Sequence, residues 1–188
     1  MIWTIPNILT IIRIILVPVF VVFFYLDFEG SQWVVALLFL FASVTDWLDG
    51  FIARYFKQTT QLGAFLDPVA DKLMVAAALV LIVNVYPSAW VAIPAAAIIV
   101  REIVVSALRE WMAELGRRAV VKVSYIGKVK TATQMLAILI LLLFHQDQTY
   151  YWWWVLLGKI LLYVAVVLTI YSMWLYLKAA YLSFKSFK

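Results

Sequence analysis

Four aspartates stand in the stretch VTDWLDGFIARYFKQTTQLGAFLDPVADKLMV, Val44 to Val75, between strongly apolar runs. Asp46 and Asp49 are three residues apart, and Asp67 and Asp71 are four apart. Either spacing places a pair on one face of a helix. The break KQTTQLG separates the pairs, so two helices joined by a short turn can bring four carboxylates toward one another. In an apolar setting, desolvation and mutual repulsion both disfavour the ionised forms, and ionisable groups within a membrane span are costly. A bound cation resolves both problems. His145 is the one histidine and there is no cysteine, so the ligands are oxygens. A hard ion follows, Mg²⁺ or Mn²⁺ rather than zinc. Four carboxylates have room for two ions that bridge a diphosphate, an arrangement suited to phosphoryl transfer. Gly50, Ala53 and Gly63 share the acidic faces and leave space for a ligand against the backbone. Close packing of membrane helices would use the same small residues.

The elements that carry these residues are spans. The 188 residues are 67% hydrophobic and 13% charged, with mean hydropathy +1.03. A water-soluble domain of this length is rarely more than about half apolar, so the bilayer is the expected solvent. Six apolar runs reach the roughly 20 residues needed to cross it: 7–26, 33–54, 65–85, 88–109, 122–144 and 152–177. The breaks between them are short, which predicts antiparallel neighbours in one all-α domain over 1–188. Residues 1–6 form a candidate interfacial segment. The first run lacks a basic start and contains Arg13 and Pro18, so it reads as a retained helix rather than a cleaved leader.

Charge placement sets the orientation. Arg54, Lys57, Arg117, Arg118, Lys122, Lys178, Lys185 and Lys188 gather at one end of the spans, while Asp27, Glu29, His145 and Asp147 occupy the other. Basic residues mark the cytoplasmic side. Both termini and the acidic cluster are therefore expected to face the cytoplasm. Lys159, inside the last run, is expected to snorkel toward the opposite interface, and His145 reads as an ordinary residue of that interface.

A second set of residues suits an anionic substrate. Arg101 and Arg109 are eight positions apart, within about 80° on one helix face, and Lys128 and Lys130 open the fifth run. Four cations near the acidic cluster fit a doubly charged phosphate. Arg117, Arg118 and Lys122 read as topological charges or lipid headgroup contacts. Asn7, Thr10 and Arg13 line one flank of the first run. A nucleotide contact and simple snorkelling of Arg13 are equally compatible with that placement.

The pattern Asp46-x2-Asp49-Gly50-x2-Ala53-Arg54-x8-Gly63-x3-Asp67-x3-Asp71 resembles the signature of the CDP-alcohol phosphotransferase family at all eight specified positions across 26 residues. The resemblance implies six membrane helices and transfer of a substituted phosphate from a CDP-linked donor to an alcohol, with release of CMP. It implies Asp46, Asp49 and Asp67 as metal ligands. Asp71 would be the general base and a possible further ligand. Gly50, Ala53, Arg54 and Gly63 would form the donor nucleotide site. NILTIIR in the first run, LGAFLDPVADK and the stretch Arg101 to Met135 extend the likeness to the bacterial branch that makes phosphatidylglycerophosphate. That branch implies CDP-diacylglycerol as donor and sn-glycerol 3-phosphate as acceptor. It also implies Arg101, Arg109, Lys128 and Lys130 as the acceptor-phosphate site, and a homodimer in the bacterial inner membrane. Inositol phosphate, serine and phosphatidylglycerol are the competing acceptors. A divalent-cation transporter would also use membrane aspartates, but near mid-bilayer on interrupted helices in repeated halves, and no repeat is visible here. A structural or lipid-binding protein would tolerate loss of Asp67 or Asp71.

Overall fold

Apolar backbone without water must bond to itself, and the α-helix does so within one segment. The computed structural model describes residues 4–26, 28–55, 61–114, 125–146 and 149–185, and these form six α-helices. They are α1 (Ile5–Tyr25), α2 (Ser31–Tyr55), α3 (Gln61–Val85), α4 (Ala89–Glu114), α5 (Tyr125–Leu143) and α6 (Trp152–Lys185). Each matches one expected run. The side chains of 46–55, of Asp67, Asp71 and Lys128, and of a few other helical positions lie outside the described residues.

Helix α1 begins after an extended Thr4, with a proline in its first turn, where the missing N–H costs nothing. It stops at Leu26, whose N–H still donates to the Val22 carbonyl at 3.2 Å. Gly30 then takes φ +84°, a left-handed conformation open to glycine, and Ser31 starts α2. Hydroxyls inside the helices bond to carbonyls one turn back: Ser43 to Phe39 and Thr45 to Phe41, both at 2.8 Å. In an apolar medium this is the available partner.

Among the described residues, three helices are long and apolar enough to cross a membrane alone, covering Asn7–Tyr25, Ala89–Glu114 and Trp152–Lys178. The other three carry apolar stretches at Ser31–Thr45, Lys72–Val85 and Val129–Leu143. Large apolar side chains stay exposed on all six helices, among them Ile15, Leu37, Val80, Ile93, Leu136 and Val167. Bare apolar surface on this scale marks a lipid-facing exterior. This is an all-α membrane protein.

Its contacts group the chain into two units, Met1–Tyr86 with Ile138–Val155, and Pro87–Ala137 with Leu156–Lys188. In the first unit α1 packs against both α2 and α3, with Phe20, Phe39, Ala78, Leu79 and Ile82 buried. Far from the motifs, the turn after α5 is fastened by side chains. Tyr86 donates its hydroxyl toward the Leu141 and Phe144 carbonyls at 3.2 and 3.3 Å, and burial raises its pKa. The His145 ring stacks on Phe24 with centroids 4.9 Å apart, and its Nδ1 lies 2.6 Å from the Leu142 carbonyl. Gln146 donates to the Ser31 hydroxyl. His145 is therefore a packed, buried residue of this turn. In the second unit α4 and α6 run side by side, and the Tyr163 hydroxyl donates to the Trp90 carbonyl at 2.9 Å.

Candidate active site

The acidic motif falls on two helices of the first unit. Asp46, Asp49, Gly50, Ala53 and Arg54 lie in the last three turns of α2, and Gly63, Asp67 and Asp71 in the first three turns of α3. Backbone register fixes their level. Phe20 of α1 meets Phe39 of α2 with ring centroids 6.4 Å apart, and the turn at 26–30 makes these helices antiparallel. Seven residues back along α1 is Arg13, and seven on along α2 is Asp46; ten residues lead to Thr10 and Asp49. Equal steps climb equal heights at 1.5 Å per residue. On the other flank, Asn84 of α3 donates to the Tyr25 hydroxyl at 3.4 Å. Thirteen residues back from this pair stand Asp71 and Ile12, and seventeen back stand Asp67 and Ile8. The backbone positions of all four aspartates thus share one level, within about a turn, with the start of α1.

That start of α1 is polar and buried. Asn7, Thr10 and Arg13 are 1%, 0% and 1% exposed, and none of them is without a partner. Arg13 therefore stays inside the bundle instead of snorkelling to an interface. A buried guanidinium requires compensation by neighbouring polar or charged groups. Gly63 is buried as well.

The cations of the second unit divide into two levels. Arg101 of α4 is 7% exposed and Lys130 of α5 is 3% exposed. Both bind the same oxygen, Oε1 of Glu102: Arg101 through Nη1 at 3.0 Å, and Lys130 through Nζ. Arg101 Nη2 also donates to the Ser172 hydroxyl of α6. Arg109, two turns further along α4, is exposed. Its Nη2 donates to the Tyr176 hydroxyl at 2.7 Å, and its guanidinium carbon lies 4.9 Å from the centre of that ring. The structure thus brings Arg101 and Lys130 together and places Arg109 apart on Tyr176. The Lys128 side chain lies outside the described residues. Among the described residues no three His, Cys, Asp or Glu side chains gather in a group able to hold a metal. The side chains of Asp46, Asp49, Asp67 and Asp71, the expected metal ligands, lie outside the described residues; a donor set made only of carboxylates is of the kind that suits a hard divalent cation.

A family model described as CDP-alcohol phosphatidyltransferase matches residues 3–171. The chain belongs to the CDP-alcohol phosphatidyltransferase family. A protein of Pectobacterium atrosepticum named CDP-diacylglycerol–glycerol-3-phosphate 3-phosphatidyltransferase is 54% identical over 178 residues, 95% of each chain. Proteins of the same name from Sodalis glossinidius and Yersinia pestis are 55% and 54% identical over 94% of each chain.

For a CDP-alcohol phosphatidyltransferase, the polar residues that sequence reasoning overlooked are those of α5 and α6. Gln134 is one turn beyond Lys130, and Thr169 is one turn before Ser172. Both are buried, and Gln134 Oε1, Thr169 Oγ1 and Arg101 Nε have no hydrogen-bond partner among the described residues. Serine and threonine in an apolar run read as small packing residues, so no sequence signal singled them out. A buried hydroxyl without a partner carries a desolvation cost. Thr169→Val is accordingly expected to stabilise the detergent-purified protein by about 1 kcal/mol, read as a higher midpoint of thermal unfolding. A fall in that midpoint would show that the hydroxyl is satisfied.

Proposed function

We propose that this protein transfers the phosphatidyl group of CDP-diacylglycerol to sn-glycerol 3-phosphate, giving phosphatidylglycerophosphate and CMP. The observation that carries this reading is the near full-length likeness to proteins of that name, 54–55% identical. The buried Arg101–Lys130 pair supports a phosphate-bearing acceptor over serine or an uncharged alcohol.

Asp46, Asp49, Asp67 and Asp71 would hold one or two Mg²⁺ or Mn²⁺ ions. When bound, the metal neutralises the donor diphosphate and the charge that collects on departing CMP. Asp71 takes the proton of the acceptor's primary hydroxyl as that oxygen attacks the phosphorus bearing the diacylglycerol. A new P–O bond forms, the bridging P–O bond to CMP breaks, and the electron pair leaves with CMP. Gly50, Ala53, Arg54 and Gly63 admit and bind the nucleotide, with Asn7, Thr10 and Arg13 at the same level. Arg101 and Lys130 bind the acceptor phosphate, and Arg109 and Lys128 add positive potential along its approach.

The chain works as one domain in the bacterial cytoplasmic membrane, with both termini and the site facing the cytoplasm. The one-sided distribution of basic residues supports that orientation. There the acyl chains remain in the leaflet while the water-soluble acceptor arrives from the cytoplasm. The proposed homodimer rests on family resemblance.

Purified protein given Mg²⁺, CDP-diacylglycerol and, in turn, glycerol 3-phosphate, inositol phosphate, serine or phosphatidylglycerol is expected to release CMP only with glycerol 3-phosphate. Release with a different acceptor alone would overturn the assignment. Release with none would return the aspartates to the transporter reading.

A further inference from the structure

Both cations of the second unit converge on one carboxylate oxygen, and the exposure of the three groups is unequal. The Arg101 and Lys130 side chains are 8% and 4% exposed, whereas that of Glu102, which joins them, is 26% exposed. Glu102 is on the side of α4 that carries buried Ile98, Arg101 and Val105, turned away from the exposed Val100, Ile103 and Val104. Of the three groups, the carboxylate is thus the one most open to its surroundings, and the two cations lie behind it in the packing. Lys130 Nζ and Arg101 Nη1 are already arranged around a single anionic oxygen. An oxygen of a phosphate monoester asks for the same donors in the same place.

We propose that Glu102 is an internal stand-in for the acceptor's phosphate. Its Oε1 holds Arg101 and Lys130 in position while the site is empty and gives way when a phosphate dianion takes that oxygen's place. The idea rests on the acceptor-site reading above and adds what the carboxylate does there. A buried cation pair without a counter-ion is costly, so a resident carboxylate keeps the empty site folded. It also makes occupancy a competition, since a ligand must outbid an attached carboxylate to enter. A dianion can do so; a neutral alcohol or a weakly held monoanion cannot. Glu102 is thereby a positioning and specificity residue rather than a catalytic one.

The probe is inorganic phosphate, with thermal unfolding in detergent as the readout. Without phosphate, Glu102→Gln is expected to unfold at a lower temperature than wild type. Its phosphate-induced rise in midpoint is expected to be larger, and its inhibition constant for phosphate about tenfold lower, the size of one charge-assisted contact. The KM for glycerol 3-phosphate falls in parallel. A merely structural role predicts lower stability with weaker phosphate binding. Glu102→Asp, one methylene too short to span both cations, is the second variant, expected to fall between the two. Should Glu102→Gln not be recovered folded, Glu102→Asp decides alone: a phosphate effect no greater than wild type overturns the proposal. Arg101→Gln separates the two levels of argument. If it keeps the wild-type phosphate shift and KM, the acceptor-site reading fails. If it loses both while neither Glu102 variant gains phosphate affinity, only the stand-in role fails.

Discussion

Asp71→Asn is expected to lower kcat by about 10³-fold while leaving expression and detergent behaviour unchanged, measured as CMP release from CDP-diacylglycerol. The amide keeps the volume and the hydrogen-bonding outline of the carboxyl but cannot accept the acceptor's proton at neutral pH. Asp67→Asn should also inactivate at ordinary Mg²⁺, yet for a different reason. Losing one of several oxygen ligands weakens ion binding without removing the base, so part of the activity is expected to return as Mg²⁺ or Mn²⁺ is raised to tens of millimolar, about the range of weak carboxylate sites. A chelator should abolish wild-type turnover, and added metal should restore it. The contrast between the two variants is the informative result. If excess metal rescues Asp71→Asn as well as Asp67→Asn, then Asp71 is a ligand only. If both retain activity without metal, the aspartates have no part in the reaction.

The contrast matters because the sequence carries the helices and the level on which the acidic motif falls, but not the division of labour within it. Spacing alone placed Asp46 with Asp49 and Asp67 with Asp71, since helical period converts distance in sequence to a face. Hydropathy found six helices for the same reason, and it erred where a helix outlasts its apolar run. Helix α4 continues from the expected end at 109 to Glu114, and α6 from 177 to Lys185, because residues such as Glu110, Met112, Ala113 and Lys178 are good helix formers in water. Arg13 shows the opposite limit. A cation eight residues from a helix end can snorkel or be buried, and only the packing of α1 on both α2 and α3 decides for burial. The four basic residues of the second half were found by charge but could not be ranked. Arg101 and Arg109 share a face on paper, yet one is buried against Ser172 and the other lies over Tyr176. Their different settings depend on neighbours contributed by α5 and α6, 29 to 71 residues further along the chain.

That ranking gives the second large effect. Arg101→Gln is expected to raise the KM for glycerol 3-phosphate by about 50-fold, with kcat reduced only a few-fold. In the proposed site the arginine would supply one charge and up to two directed N–H donors to the phosphate, contacts made alike in the bound substrate and the transition state, so their loss would be felt in binding. Fold damage should be limited, because Glu102 keeps Lys130 as its partner and Ser172 retains a bond to the Thr169 carbonyl at 3.4 Å. Arg101→Lys keeps the charge but offers no planar fork, and should fall between wild type and Arg101→Gln. At Arg109, which is exposed and held by Tyr176, substitution with Gln should raise KM no more than about fivefold and lose that effect in high salt, as expected of long-range attraction through solvent. Initial rates against glycerol 3-phosphate at two ionic strengths distinguish these cases. A large, salt-insensitive effect at Arg109 with a small one at Arg101 would move the acceptor phosphate from the buried pair to the surface, and would leave Arg101, Lys130 and Glu102 as a structural ion cluster.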